Sequence, residues 1–245
     1  MGLGAKVSSQ HTLLWLSCFA SALVLVNAKL IGPTRFDYYA LVLSWPGGHC
    51  LHNDCHNSFA TEVNDFHISG FWAMDKDNKV RTYCNTSAEF DPNKLGPLRP
   101  ALDEAWPDSK RGDLIDFWRA QWHKYGNCDP QSIPDEYTYF TKALEFFELV
   151  NPLDALAKKG LLPSSWDVHD THSIYSTFIR AYGVRPQMYC KEEGQGHVAD
   201  HHLIQVRFCI SSDGEYLHDC PQGGNCKGEL FIPEIEYSRA SYDDL

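Results

Sequence analysis

The sequence predicts an α+β fold: an antiparallel β-sheet core with flanking helices, stabilised by disulfides. Three observations carry that expectation. Aromatic and β-branched runs lie near both ends of the chain, helical apolar spacing fills its middle, and an even set of cysteines remains once an N-terminal leader is set aside. The regular β–α alternation of a parallel sheet is missing.

The leader is residues 1–28. Lys6 precedes an apolar run from Leu13 to Val26, and Val26-Asn27-Ala28 is a small-residue cleavage site of the A-x-A kind. A run of 14 residues is too short to span a bilayer comfortably, so a cleaved secretory signal is expected rather than an anchor. Lys6 also stands where a myristoylation signal needs Ser or Thr. The final Tyr242-Asp243-Asp244-Leu245 is not a retention signal, which points to the extracellular space or cell wall, or to a vacuole. No later stretch reads as a membrane span.

Residues 29–245 read as a single domain, with no linker or repeat to divide them. Without Lys6 the chain has 20 basic against 32 acidic residues, a net charge of −12 with His neutral. Such a surface repels polyphosphate at long range and argues against a tight nucleic-acid binder, while leaving room for a local basic groove. Cys18 lies in the leader, leaving Cys50, Cys55, Cys84, Cys128, Cys190, Cys209, Cys220 and Cys226. In a secreted chain these read first as disulfides, with the pairing open. Their spacings offer none of the paired C-x-x-C clusters that a zinc site would use. Asn85-Thr86-Ser87 is an N-glycosylation sequon, with Asn85 as acceptor.

Taken in order, Tyr38 to Trp45 is a buried strand that stops at Pro46-Gly47-Gly48, and Asp65 to Phe71 is a second strand. A helix follows over Asp113–Tyr125, where Leu114, Phe117, Trp118, Gln121, Trp122 and Tyr125 recur at helical spacing and Gly126 ends the pattern before Cys128. Asp129 to Pro134 is a turn. The next helix, Asp135–Val150, carries Tyr137, Phe140, Leu144 and Phe147 as its apolar stripe. A third, Thr171–Tyr182, turns Ile174, Phe178 and Tyr182 inward. Late strands are expected at Gln187–Cys190 and Leu203–Ile210, and an acidic tail from Glu234.

The segment DFWRAQWHKYGNC, Asp116 to Cys128, resembles the second active-site motif of the ribonuclease T2 family, commonly close to FW-x-HEW-x-KHGTC in plants. Four further segments match that family in order. Tyr39 to Gly47 is similar to its first strand, commonly ending in QQWPG, and Phe66 to Trp72 is similar to F-x-IHGLWP. Tyr182-Gly183-Val184-Arg185-Pro186 before Cys190 resembles its Gly-x-x-Pro turn. Phe208-Cys209 with Asp219 to Cys226 is similar to its C-terminal disulfide knot. The acidic balance fits plant S-like members. The resemblance implies the pairs Cys50–Cys55, Cys84–Cys128, Cys190–Cys226 and Cys209–Cys220. A further plant bridge is missing as a unit, with His56 at one of its positions and no cysteine in Pro107–Asp113.

The family cleaves RNA by attack of the ribose 2′-OH on phosphorus, giving a 2′,3′-cyclic phosphate. That step needs one group to take a proton and another to give one, and imidazoles suit it because they ordinarily titrate at about 6.5. By resemblance the leaving-group acid belongs at Ser69, the phosphate-binding His at Ala120, the Glu at Gln121 and the base at Tyr125; Lys124 alone of the charged set is retained. Serine is a poor acid, alanine has no donor, glutamine carries no charge, and a phenol ordinarily titrates at about 10. A catalytically degenerate, ribonuclease-related protein follows, with a non-catalytic role in storage, in stress or development, or in binding. His67 and His123 each stand two residues before a lost position. Strand geometry lets His67 share a face with Ser69, displaced by about 6.5 Å. On a helix His123 is turned by about 200° from Tyr125. Both read as surface or packing residues. The second Gln of the family's first strand, associated with holding a base, is Ser44 here. Trp45 and Trp72 are candidates for base stacking, with a core role the better reading for Trp45. His49, His52 and His56, and His197, His201 and His202, could each hold a metal if their loops folded suitably, but solvated loop histidines are the plainer expectation. No metal, no cofactor, a monomer, an unspecified protein partner, no membrane contact after signal cleavage, and at most weak RNA or nucleotide binding complete the reading. Its rivals are weak or relocated endoribonuclease activity and RNA binding without cleavage.

Overall fold

Every residue of Tyr38–Ser44 is buried, so this strand, β1, is central rather than an edge. The computed structural model describes residues 36–56, 59, 63–110, 112–193 and 200–235. The expected leader and most of the acidic tail lie outside them. β1 is flanked by β2 (His67–Met74) and β5 (Asp200–Ser211), both antiparallel to it. The sheet runs β2-β1-β5-β7-β3, with β3 at Val168–Asp170 and β7 at Glu229–Phe231; β4 (Gln187–Glu193) and β6 (Leu217–His218) also pair with β5. One pairing departs from the antiparallel expectation: β5 meets β7 in parallel, through His202 opposite Phe231.

Strand alternation divides β1 between two apolar clusters. Tyr39, Leu41 and Leu43 enter the main core, while Tyr38, Ala40 and Val42 join Met74, Cys209 and Cys220 on the other face. The main core is shared by helices α3 (Leu114–Tyr125), α4 (Glu136–Leu149) and α6 (Thr171–Tyr182). Asp113, Asp135 and Asp170 cap their first turns by accepting from the backbone N–H three residues on. The Tyr139 hydroxyl donates to the Phe71 carbonyl at 2.9 Å, fastening α4 to β2.

The apolar stripe of α4 is rotated from its expected position. Phe140 and Leu144 are buried, but Tyr139, Ala143 and Phe146 complete the core face, while Tyr137 is 40% exposed and Phe147 only partly covered. In so aromatic a helix two overlapping stripes fit the spacing, and the sheet selects the one whose Tyr hydroxyl finds a carbonyl. Along α6, Ile174 and Phe178 are buried and Tyr182 is half-buried, its hydroxyl accepting from the Asn151 N–H at 3.0 Å.

Pro46-Gly47-Gly48 does more than stop a strand. It opens a short helix, α1 (Pro46–His52), with Pro46 in its first turn. A Cβ on Gly48 would lie 1.9 Å from the Leu203 carbonyl oxygen, so only glycine lets α1 rest on β5. Further short pieces, α2 (Arg99–Ala105), α5 (Pro152–Ala157) and a 3₁₀ turn at Pro92–Leu98, cross what reads as loop in the sequence. Disulfides join Cys50 to Cys55, Cys84 to Cys128, Cys190 to Cys226 and Cys209 to Cys220, the four pairs that the resemblance implies. Among the described residues no helix is long and apolar enough to cross a membrane.

Candidate functional site

Ser69 sits at an irregularity in β2. Val42 faces Gly70 and Leu43 faces Ile68, which leaves Ser69 as the extra residue of a bulge. Its hydroxyl donates to Ser44 Oγ at 2.5 Å, and Gln205 Nε2 reaches the same oxygen at 3.5 Å. Arg207 Nε in turn donates to Gln205 Oε1 at 2.8 Å. A polar chain from Ser69 through Ser44 and Gln205 to Arg207 thus crosses β2, β1 and β5.

The other candidate positions come from α3. Trp118 and Trp122 bury their rings and donate their indole N–H groups to the carbonyls of Trp106 and Glu89, at 3.0 and 2.8 Å. These contacts fix the helix, and the remaining side chains follow from its pitch. Ala120 is exposed, and Gln121 is half-buried with Oε1 enclosed and unbonded. The Tyr125 ring lies against Trp72, with centroids 5.3 Å apart, and Lys124 Nζ stands 4.9 Å from the Tyr125 centroid. Hydrogen bonding to the Tyr125 phenol shifts the Lys124 ammonium upward, so the lysine stays charged. Gly126 marks the end of α3 through space rather than through an unusual backbone: its φ is −76°, and a Cβ there would stand 2.3 Å from the Trp122 ring.

His67 does not share an open face with Ser69. It is 4% exposed, its ring edge-on to Phe59 at 5.1 Å and 6.5 Å from His49, and Nδ1 finds no hydrogen-bond partner. Burial pushes its imidazole down to about 3, with His49 adding to the shift, so it stays neutral. The bulge breaks the simple two-residue repeat that would have aligned it with Ser69. His123 is half-buried, its ring 6.5 Å from that of Phe90. Trp45 is unavailable for stacking a base: it is 1% exposed, packs on Phe66 and donates Nε1 to the Pro233 carbonyl at 2.7 Å. Trp72 remains half-buried.

The histidines expected in solvated loops are mostly packed. α1 and β5 bring His52 Nε2 to 3.1 Å from His202 Nδ1, and His202 is buried against Phe231. Burial lowers His49 from its usual value. Among the described residues no group of three His, Cys, Asp or Glu side chains is placed to hold a metal ion; His197 lies outside them. Asn85 is exposed beside the Cys84–Cys128 disulfide, its side chain accepting from the Ser87 N–H at 3.1 Å.

Sequence reasoning missed Arg207. The guanidinium lies 4.9 Å from the Trp72 ring centroid and 3.9 Å from that of Tyr189, held between two aromatic faces. Burial lowers its affinity for its proton, a sign of how far it has left water. The available signal was the pair Gln205 and Arg207 two residues apart in the otherwise apolar run Leu203–Ile210, which places both on one face. Lys124, Tyr125, Trp72, Arg207 and Tyr189 form a row of two cations and three rings, with the Ser69 chain joined to it at Arg207.

Three known proteins are similar to this chain. The chain is 29% identical over 227 residues to ribonuclease 1 of Arabidopsis thaliana, covering 89% of this chain and 96% of that protein. It is 26% identical over 197 residues to a ribonuclease-like storage protein of Panax ginseng, covering 78% and 79% of the two chains. The solved structure of RNase NT in complex with 5′-AMP superposes with a TM-score of 0.71 at 26% identity, covering 81% of this chain and 98% of that one. The Ribonuclease T2 family model matches residues 36–220, which include β1, the Ser69 bulge, the whole of α3 and Arg207, and the chain belongs to the ribonuclease T2 family.

Proposed function

We propose that this protein is a catalytically silent member of its family, secreted or vacuolar, with a non-catalytic role. The observation that carries the reading is what occupies the two proton-transfer positions. Ser69 gives its hydroxyl hydrogen to Ser44, and the Tyr125 ring is packed on Trp72. Neither residue type titrates in the range that acid–base cleavage of RNA requires. Losing one such group typically costs about 10²–10⁴ in rate, and here both positions have changed along with those at Ala120 and Gln121. His67 offers no substitute, being enclosed and neutral. Storage is supported by the Panax ginseng relative, which bears that name.

A second reading, RNA or nucleotide binding without cleavage, is favoured by the partly open Trp72 and the charged Lys124 on the other side of the Tyr125 ring. It also draws support from the 5′-AMP carried by the solved RNase NT structure. One experiment tests both readings: purified protein is incubated with RNA from about pH 4 to pH 8, and chain length and retention on native gels are followed. The proposal expects full-length RNA throughout. Turnover above background that disappears in His67→Ala would overturn it, and RNA neither cut nor retained would sink the second reading. Passage through the secretory pathway implies a glycan on Asn85. Asn85→Gln should then remove the mass that a glycosidase removes from the parent, and an unchanged mass would contradict it.

A further inference from the structure

Arg207 is half-buried with its guanidinium against two aromatic rings, yet no carboxylate lies within ion-pair distance of it among the described residues. Its hydrogen bond to a described residue uses Nε, directed to Gln205. Trp72 and Tyr189 cover its faces, so the two terminal amino groups are left at its end, without a bonded partner among the described residues. A buried charge without a counter-charge is costly, and proteins ordinarily pair it. Here the remaining donors have the planar fork spacing that accepts two oxygens of one oxyanion.

We propose that Arg207 anchors an oxyanion site on this face of the sheet, taking the phosphate group of a small phosphate monoester. The rings that sandwich the guanidinium hold it at a fixed angle and remove water around it, which strengthens a charge-assisted bond at its end. Lys124, at the far end of the Tyr125–Trp72 pair, supplies a second positive charge on the same row. The formal charge of the whole chain, −11, repels anions at a distance, so binding depends on this local fork and not on a broad basic surface. Phosphate is favoured over a peptide carboxylate because a monoester carries up to two negative charges and so gains more from a fork held between aromatic rings. The site rests on the second reading above, binding without cleavage, and asks no proton transfer of Ser69 or Tyr125, so it stands whether or not RNA is cut.

The test is calorimetric titration of the full glycosylated protein with inorganic phosphate and with adenosine 5′-monophosphate. Saturable binding with Kd at or below about 1 mM is expected. Arg207→Gln should weaken it about tenfold or more, and Arg207→Lys, which keeps charge but loses the fork, should recover only part of the loss. The monoester should bind at least as tightly as the free ion. A parent protein without saturable binding, or variants that bind like the parent, would overturn the proposal. Exclusion of the monoester while phosphate binds would overturn its ligand class. Because Arg207→Gln could fail to fold, a second measurement uses the parent alone. Phosphate should slow phenylglyoxal modification of Arg207, located by peptide mass, and equal modification with and without phosphate would contradict the site. RNA turnover in the same preparation bears on catalytic silence alone, so the two claims fail separately.

Discussion

Trp118→Ala is expected to destabilise the fold by about 3–5 kcal/mol, read as a shift in chemical denaturation midpoint at unchanged slope. Trp118 is fully buried, packs near Phe140, and lies beneath the Arg99 guanidinium at 4.9 Å. Its removal leaves a large void and strips the Trp106 carbonyl of its donor. Ala120→His, two residues along the same helix but exposed, should move stability by no more than about 0.5 kcal/mol. The contrast separates the two kinds of residue in α3. On the proposed reading, those that pack are retained, and those assigned by resemblance to the family's proton-transfer and phosphate positions are not. A loss below about 1 kcal/mol for Trp118→Ala would mean that α3 is not the keystone of the core.

The second large effect is a loss of stability in acid traced to His67. Burial lowers its imidazole from the ordinary 6.5 to about 3 in the folded protein, whereas the unfolded chain binds the proton at its usual value. The folded state is therefore the weaker proton binder. Its contribution is complete above about pH 6.5 and drains away as pH falls towards about 3, at about 1.4 kcal/mol per pH unit. His49, lowered in the same direction by burial, adds to the slope. Between about pH 7 and pH 4.5 the parent should lose at least about 2 kcal/mol more than His67→Leu, measured by urea denaturation at each pH. Parallel curves for the two proteins would show that His67 is not held neutral.

The elements most legible in the sequence were those whose pattern admits one reading. β1 stands out because an aromatic, β-branched run meets Pro46, and α6 because Asp170 caps it and Gly183 closes it. The stripe of α4 was misplaced because its five aromatic residues satisfy more than one helical face, and only the sheet opposite decides between them. α1 shows in the sequence only as the stop to β1, because Pro-Gly-Gly in isolation ends a strand, and its helix is secured by glycine contact with β5 that no local pattern records. At the site, Ser69, Ala120, Gln121, Lys124 and Tyr125 take their assignments from resemblance to the family's motifs and not from local pattern. The bulge that parts His67 from Ser69 is set by strand register, so it could not be read locally. Arg207 was missed for a related reason: its significance lies in Trp72 and Tyr189 on either side, which come from different strands.

Catalytic silence is tested most directly by comparing the parent with a variant that restores the family residues, Ser69→His, Ala120→His, Gln121→Glu and Tyr125→His, in one RNA-cleavage assay. The packing of α3, retained Lys124 and the four disulfides give the restored groups a scaffold on which to act. The parent should remain at the buffer background from about pH 4 to pH 8, while the restored protein should exceed it by about 10²-fold or more. Parent turnover within about tenfold of the restored protein, abolished by no contaminant control, would contradict a silent family member.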